Sequence, residues 1–109
     1  MFELFQSENN QKYYFNLKAK NGQIILSSQG YADISGAKNG IDSVKKNSGD
    51  DSKYERKTAS NGKFHFNLKA GNGQIIGSSQ MYASEAGMEN GIDSVKTNAP
   101  DADTKDLTS

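Results

Sequence analysis

The chain lacks cysteine, has one histidine and one proline, and carries no net charge, with 13 Lys and Arg against 13 Asp and Glu in 109 residues. Each shortage removes a class of chemistry. Without cysteine there is no disulfide, no thiolate nucleophile and no Cys-ligated metal, which fits a reducing compartment. Without a charge excess no global field steers the chain to nucleic acid or to an anionic membrane, although local patches remain open. No stretch approaches the ~20 apolar residues of a membrane span. The opening Met-Phe-Glu-Leu-Phe-Gln has neither a basic n-region nor a long apolar run. The expectation is a cytoplasmic protein that stays off membranes.

What is present is a repeat. Phe15–Asn47, moved by 51 residues, falls on Phe66–Asn98 without a gap, and 24 of the 33 aligned positions are identical. At this length folding removes roughly two-thirds of the unfolded chain's surface from water, and half the chain is near the lower limit for folding alone. The two copies are therefore expected to share one core within a single domain, residues 1–109. Apolar content is a modest 33%, and five Phe and five Tyr supply much of the bulk.

Phe2 and Leu4 alternate with Glu3 and predict a short half-buried strand. Ser7–Gln11 is wholly polar and predicts a turn. Tyr13, Phe15, Leu17 and Ala19 alternate again. Asn21-Gly22 then predicts a two-residue hairpin turn with both residues at positive φ. That turn sets Ala19 against Ile24 and Leu17 against Leu26, so Ile24 faces inward. Ile25, like Ile76 in the second copy, then faces outward and predicts that each repeat covers the other. Asp33 and Ser84 are placed as N-caps. Ala37, Ile41 and Val44, matched by Met88, Ile92 and Val95, form the inward helical stripes. Gly40 and Gly91 lie inside these helices and predict a close approach of helix to sheet. Asn47 and Asn98 offer left-handed stops. Tyr54-Glu55-Arg56 answers Phe2-Glu3-Leu4, which extends the unit to β-β-β-α. The reading is α+β: two tandem β-β-β-α repeats with pseudo-twofold symmetry, antiparallel sheet packed by one helix per repeat. Repeat 1 spans 2–47, a flexible acidic linker 48–52, repeat 2 53–98, and a polar, loosely held tail 99–109.

Phe-Asn-Leu-Lys-Ala, Asn-Gly-Gln-Ile-Ile, Ser-Ser-Gln-x-Tyr and Asn-Gly-Ile-x-Ser-Val-Lys, in tandem over residues 2–98, closely resemble the YegP-like family of small bacterial proteins. The resemblance implies an α+β fold of β-β-β-α units, two in one chain or one per subunit of a dimer. It brings no catalytic residues. Gly77, where the first copy has Leu26, departs from strict symmetry between the halves.

The candidate sites follow from polarity at the strand-to-helix junctions. Ser28, Gln29 and Tyr31 recur as Ser79, Gln80 and Tyr82, beside helix N-termini that could hold an anion or a peptide group. No acid or base accompanies the serines, so a hydrolase triad is unsupported. Gly71, Gly73 and Gly77 have the wrong spacing for a dinucleotide loop, and no Gly-Lys-Ser/Thr follows. His65 stands on a strand without convergent ligands and reads as an exposed strand histidine, so no metal and no cofactor are expected. Lys53, Arg56, Lys57 and Lys63 form a basic stretch interleaved with Tyr54, Phe64 and Phe66, the composition of a single-strand nucleic-acid binder. The acidic tail could compensate it. The leading expectation is a non-catalytic interaction module for an unknown protein or small ligand, acting as a monomer with an internal pseudo-dimer. A weak nucleic-acid-associated protein is the alternative, and an enzyme with an unrecognised pocket the third.

Overall fold

Alternating apolar residues and two capped amphipathic stretches produce the elements seen in the computed structural model, which describes residues 1–108. In chain order these are β1 (Phe2–Gln6), β2 (Tyr13–Lys18), β3 (Ile24–Ser27), α1 (Ile34–Asn47), a 3-10 turn (Asp51–Lys53), β4 (Tyr54–Thr58), β5 (Phe64–Lys69), β6 (Ile75–Ser78), α2 (Glu85–Asn98) and β7 (Thr104–Asp106). The strands make one seven-stranded sheet in the order β4-β5-β6-β3-β2-β1-β7. Every neighbouring pair is antiparallel except β1 with β7. The fold is α+β, as the repeat pattern predicts.

The helix signals act as read. The Asp33 carboxylate accepts from Gly36 N–H at 2.7 Å, and the Ser84 hydroxyl accepts from Gly87 N–H at 3.0 Å. Ala37, Ile41, Val44, Met88, Ile92 and Val95 are buried in one cluster with Phe2, Leu4, Phe15, Leu17, Phe66 and Leu68. Each of the larger of these side chains, Ala37 excepted, contributes about 1.5–3 kcal/mol. Both helices therefore lie on one face of the sheet. α1 packs on β1 and β2 and reaches β5 and β6, while α2 packs on β5 and reaches β3. The helices end differently from the expectation. Ser48 and Ala99 cap them in right-handed geometry, and the Asn47 and Asn98 amides each donate to a serine carbonyl one turn back at 2.8 Å.

The hairpin turn is one residue longer than predicted, and this changes a face. Gly22 alone has positive φ, +86°, while Asn21 does not. Gly22 N–H donates to the Ala19 carbonyl and Ala19 N–H to the Gln23 carbonyl, both at 2.9 Å, so three residues form the loop. The Asn21 side chain stays out of the left-handed region and accepts the Gln23 N–H at 3.0 Å instead. A bulge follows, in which Leu17 pairs with Leu26 but Lys18 pairs with Ile24. Ile25 and Leu26 both turn into the core, and Ile24 is left 41% exposed. The second copy repeats this, with Ile76 buried and Ile75 40% exposed. The outward isoleucines are thus Ile24 and Ile75, and the expectation that Ile25 and Ile76 are covered by the opposite repeat is corrected.

Two segments expected to be loose are built into the fold. In the linker, Ser48 is fully buried and its carbonyl accepts the Tyr54 hydroxyl at 2.7 Å. The Asp50 carboxylate caps the 3-10 turn through Ser52 N–H at 3.0 Å. In the tail, β7 lies parallel to β1: Phe2 N–H donates to the Asp103 carbonyl and Leu107 N–H to the Leu4 carbonyl, both at 2.8 Å. Ala99 and Ala102 are buried beneath it. Backbone pairing, which needs no apolar side chain, holds this polar segment. Ser109 of the tail lies outside the described residues.

The helix glycines have a specific neighbour. A Cβ at Gly40 would meet the Tyr31 hydroxyl and would come within 2.9 Å of Phe15 Cε2; one at Gly91 would meet the Tyr82 hydroxyl and, at 2.7 Å, its Cζ. Each tyrosine lies flat on the repeat's central phenylalanine, Tyr31 on Phe15 at 6.2 Å and Tyr82 on Phe66 at 6.4 Å between centroids. Gly40→Ala should therefore destabilise the protein in urea melts by about 1–3 kcal/mol, against the ~1 kcal/mol that helix propensity alone would add. A variant as stable as the parent would show that the approach is not tight.

Candidate functional site

The face of the sheet opposite the helices has no described element over it. Glu3, Phe5, Tyr14, Asn16 and Lys18 point outward in one half, and Glu55, Lys57, His65, Asn67 and Lys69 in the other, as strand alternation from the buried positions requires. Phe5 and Tyr14 stack there at 5.9 Å, and Lys18 pairs with Glu3 at 3.0 Å. In the second half Ser78 donates to Asn67 at 2.7 Å, Asn67 to Glu55 at 3.2 Å, and Lys69 reaches Glu55 at 2.9 Å.

At the centre of the molecule β3 and β6 pair through one residue each, Ser27 with Ser78. These are the same position of the repeat, so the pseudo-twofold axis passes between them. Around this pair lies an open trough of about 440 Å³, lined by Ile24, Ser27, Ser28 and Gln29 with their mates Ile75, Ser78, Ser79 and Gln80, over a floor of Leu26 and Gly77. Sequence reasoning singled out Ser28, Gln29, Ser79 and Gln80, and the axis brings all four together. It missed the part played by Ile24 and Ile75, because a two-residue turn would have buried Ile24.

The junction residues divide their work. The Ser28 hydroxyl accepts from Phe15 N–H at 2.9 Å and donates to the Gln29 carbonyl at 2.8 Å. The Ser79 hydroxyl does the same between Phe66 and Gln80, at 3.0 and 2.8 Å. Both serines are thus occupied in holding the strand end. Gln29 and Gln80 are exposed, and their side-chain amides bond to none of the described residues. Tyr31 and Tyr82 leave the trough altogether. They pass to the helix side, where burial pushes the Tyr31 hydroxyl above its ordinary pKa. Tyr82 instead lines a smaller recess of about 190 Å³ with Asn90, Gly91 and Ser94.

His65 is half-buried rather than exposed, and its enclosed Nδ1 has no hydrogen-bond partner among the described residues. Among the described residues no three His, Asp or Glu side chains converge, and no helix is long and apolar enough to cross a membrane.

Two of the four residues of the basic stretch, Arg56 and Lys57, are paired. Arg56 donates to Glu89 and to Asp51, each at 3.0 Å, and Lys96 meets the same Asp51 oxygen at 2.8 Å. Lys57 lies 3.7 Å from Glu55, while Lys53 and Lys63 make no ion pair among the described residues. Tyr54 and Phe66 are buried among the core side chains, and Phe64 packs against them. The tail does not compensate this patch: β7 and β4 are opposite edges of the sheet, and Asp51, Glu55 and Glu89 supply the charge. Hydrogen bonds from Lys96 and Arg56 hold Asp51 below the ordinary carboxylate range, Lys69 and Asn67 do so for Glu55, and Arg56 for Glu89.

A carboxylate depressed in the fold stabilises it above the unfolded pKa and loses that contribution as pH falls through the folded one. Stability should be at its plateau above about pH 5 and should decline below about pH 4. Arg56→Gln removes the partner that holds Glu89 down and one of the two on Asp51, so urea melts should show a shallower acid decline in that variant. An identical acid slope would contradict the pairing.

Two stretches of the chain, residues 8–55 and 59–106, match the family described as a domain of unknown function (DUF1508). They are offset by the same 51 residues, and each runs from the first turn through the helix into the strand that follows it. A UPF0339 protein encoded in the ptx operon 5′ region of Stutzerimonas stutzeri is 56% identical over 101 residues, covering 93% of this chain and 90% of that protein. The solution NMR structure of the Escherichia coli protein YegP, described as of unknown function, superposes with a TM-score of 0.93 at 53% identity, over 98% of this chain and 91% of that one. A UPF0339 protein of Shewanella oneidensis, also solved by NMR, gives a TM-score of 0.92 at 50% identity, over 98% and 90%. With both halves matched and the whole fold shared, the chain belongs to the UPF0339 (YegP) family of tandem DUF1508 repeats.

Proposed function

We propose that the chain is a non-catalytic binding module of the cytoplasm, a monomer with an internal pseudo-dimer, that takes a protein partner over the Ser27–Ser78 seam. One observation carries this reading. Ile24 and Ile75 stand 41% and 40% exposed on either side of the axis, beside two glutamine amides that bond to none of the described residues. Apolar side chains held in water next to open donors and acceptors form a surface that a partner covers with gain, the isoleucines supplying area and the amides orientation. None of the lining side chains titrates, so the trough offers no general acid or base. The nucleic-acid role considered for Lys53, Arg56, Lys57 and Lys63 has less support. Carboxylates engage Arg56 and Lys57, and the neighbouring rings pack inward rather than forming a stacking platform.

The full chain and an Ile24→Glu/Ile75→Glu variant should be used in parallel to capture partners from a bacterial lysate. Both substitutions are at exposed positions, so the variant should melt within about 5 °C of the parent. A protein retained by the parent and lost with the variant is the expected outcome. Identical captures from the two baits, or turnover of a small-molecule panel that the variant leaves unchanged, would contradict the reading.

A further inference from the structure

Leu26 and Gly77 are the same position of the repeat, 51 residues apart. In equivalent registers Leu26 pairs with Leu17, and Gly77 with Leu68. The two meet across the seam beside the Ser27–Ser78 pair. Leu26 is fully buried. A Cβ built on Gly77 would lie 2.6 Å from Leu26 Cγ, 2.7 Å from Cδ2 and 3.0 Å from Cδ1, closer than carbon atoms tolerate. Backbone conformation does not call for glycine here, since only Gly22, Gly62 and Gly73 have positive φ among the glycines. The space is what excludes a side chain: the leucine of one half occupies the notch left by the other.

The pseudo-twofold axis carries position 26 onto position 77. A seam between two copies of repeat 1 would set leucine against leucine where there is no room for one methyl group. A seam between two copies of repeat 2 would set glycine against glycine and leave unfilled the volume the Leu26 side chain now takes. Overpacking and cavities are both penalised in a core packed at ordinary protein density.

We propose that this leucine-in-notch pair makes the seam selective, so that the repeat-1 edge accepts only a repeat with glycine at the notch. Copies of this chain that exchange halves then form seams of repeat 1 with repeat 2, and never of a repeat with its own kind. The proposal concerns the seam itself and stands whether or not the trough above it binds a partner.

Reciprocal substitution in the full chain tests it. Gly77→Leu should lower the melting temperature by roughly 10 °C or more through overpacking, and Leu26→Gly should lower it comparably through the void. The double variant Leu26→Gly/Gly77→Leu moves the leucine to the other side of the axis and should recover to within roughly 5 °C of the parent. If Gly77→Leu does not fold, Gly77→Ala with and without Leu26→Ala gives the same cycle, the double variant melting above the sum of the single losses. A double variant that shows only the summed losses, in either pair, would overturn the proposal.

Discussion

A single serine pair, Ser27 with Ser78, joins the two halves of the sheet. Net, each hydrogen bond contributes about 1 kcal/mol, so one residue pair cannot hold the halves in register. Apolar packing does so on one face. Leu26 fills the notch at Gly77, α1 reaches β5 and β6, and α2 reaches β3. The continuous core is therefore a consequence of a weak seam. So is the trough, because strands that pair only once diverge on either side of the axis and leave an opening on the uncovered face.

Within each half the corresponding constraint is the stack of phenylalanine, tyrosine and helix glycine. The Ser-Ser-Gln-x-Tyr segment serves both faces of the sheet at once. Its serine fastens the strand end, its glutamine stands exposed at the rim of the trough, and its tyrosine lies on the central phenylalanine beneath the helix. The glycine then lets the helix settle onto the tyrosine hydroxyl. This couples the position of the helix to the loop that rims the trough, so the rim rests on the core and not on a free loop.

Where sequence and structure agree, the determinants are local. Caps at Asp33 and Ser84, stripes at Ala37–Val44 and Met88–Val95, and alternation along β1, β2 and β5 act within a few residues and carry the β-β-β-α order that the family resemblance also implies, while the order of strands across the two repeats has no local signal. Where they differ, competition or distance decided. Asn-Gly is compatible with two turns, and the choice rests on whether Asn21 enters the left-handed region or uses its carboxamide to hold Gln23 N–H. That choice, with the bulge that follows, turned Ile24 from core to surface and hid part of the candidate site. The tail strand has three exposed side chains and so no alternation to read. The partners of Arg56 include Glu89, 33 residues away, which no local pattern reveals. Leu4 and Arg56 hold equivalent places, yet Leu4 is fully buried on a strand with neighbours on both sides, while Arg56 stands on the edge strand β4 and meets the carboxylates of Asp51 and Glu89, which fits an apolar residue at the first and a charge at the second.

The central claim is that the repeats share one core and fold as one unit despite their nearly closed internal symmetry. Differential scanning calorimetry of the full chain tests it directly. One transition, with calorimetric and van't Hoff enthalpies equal, is predicted. Two resolved transitions, or a calorimetric enthalpy about twice the van't Hoff value, would mean that each repeat unfolds alone and would contradict it.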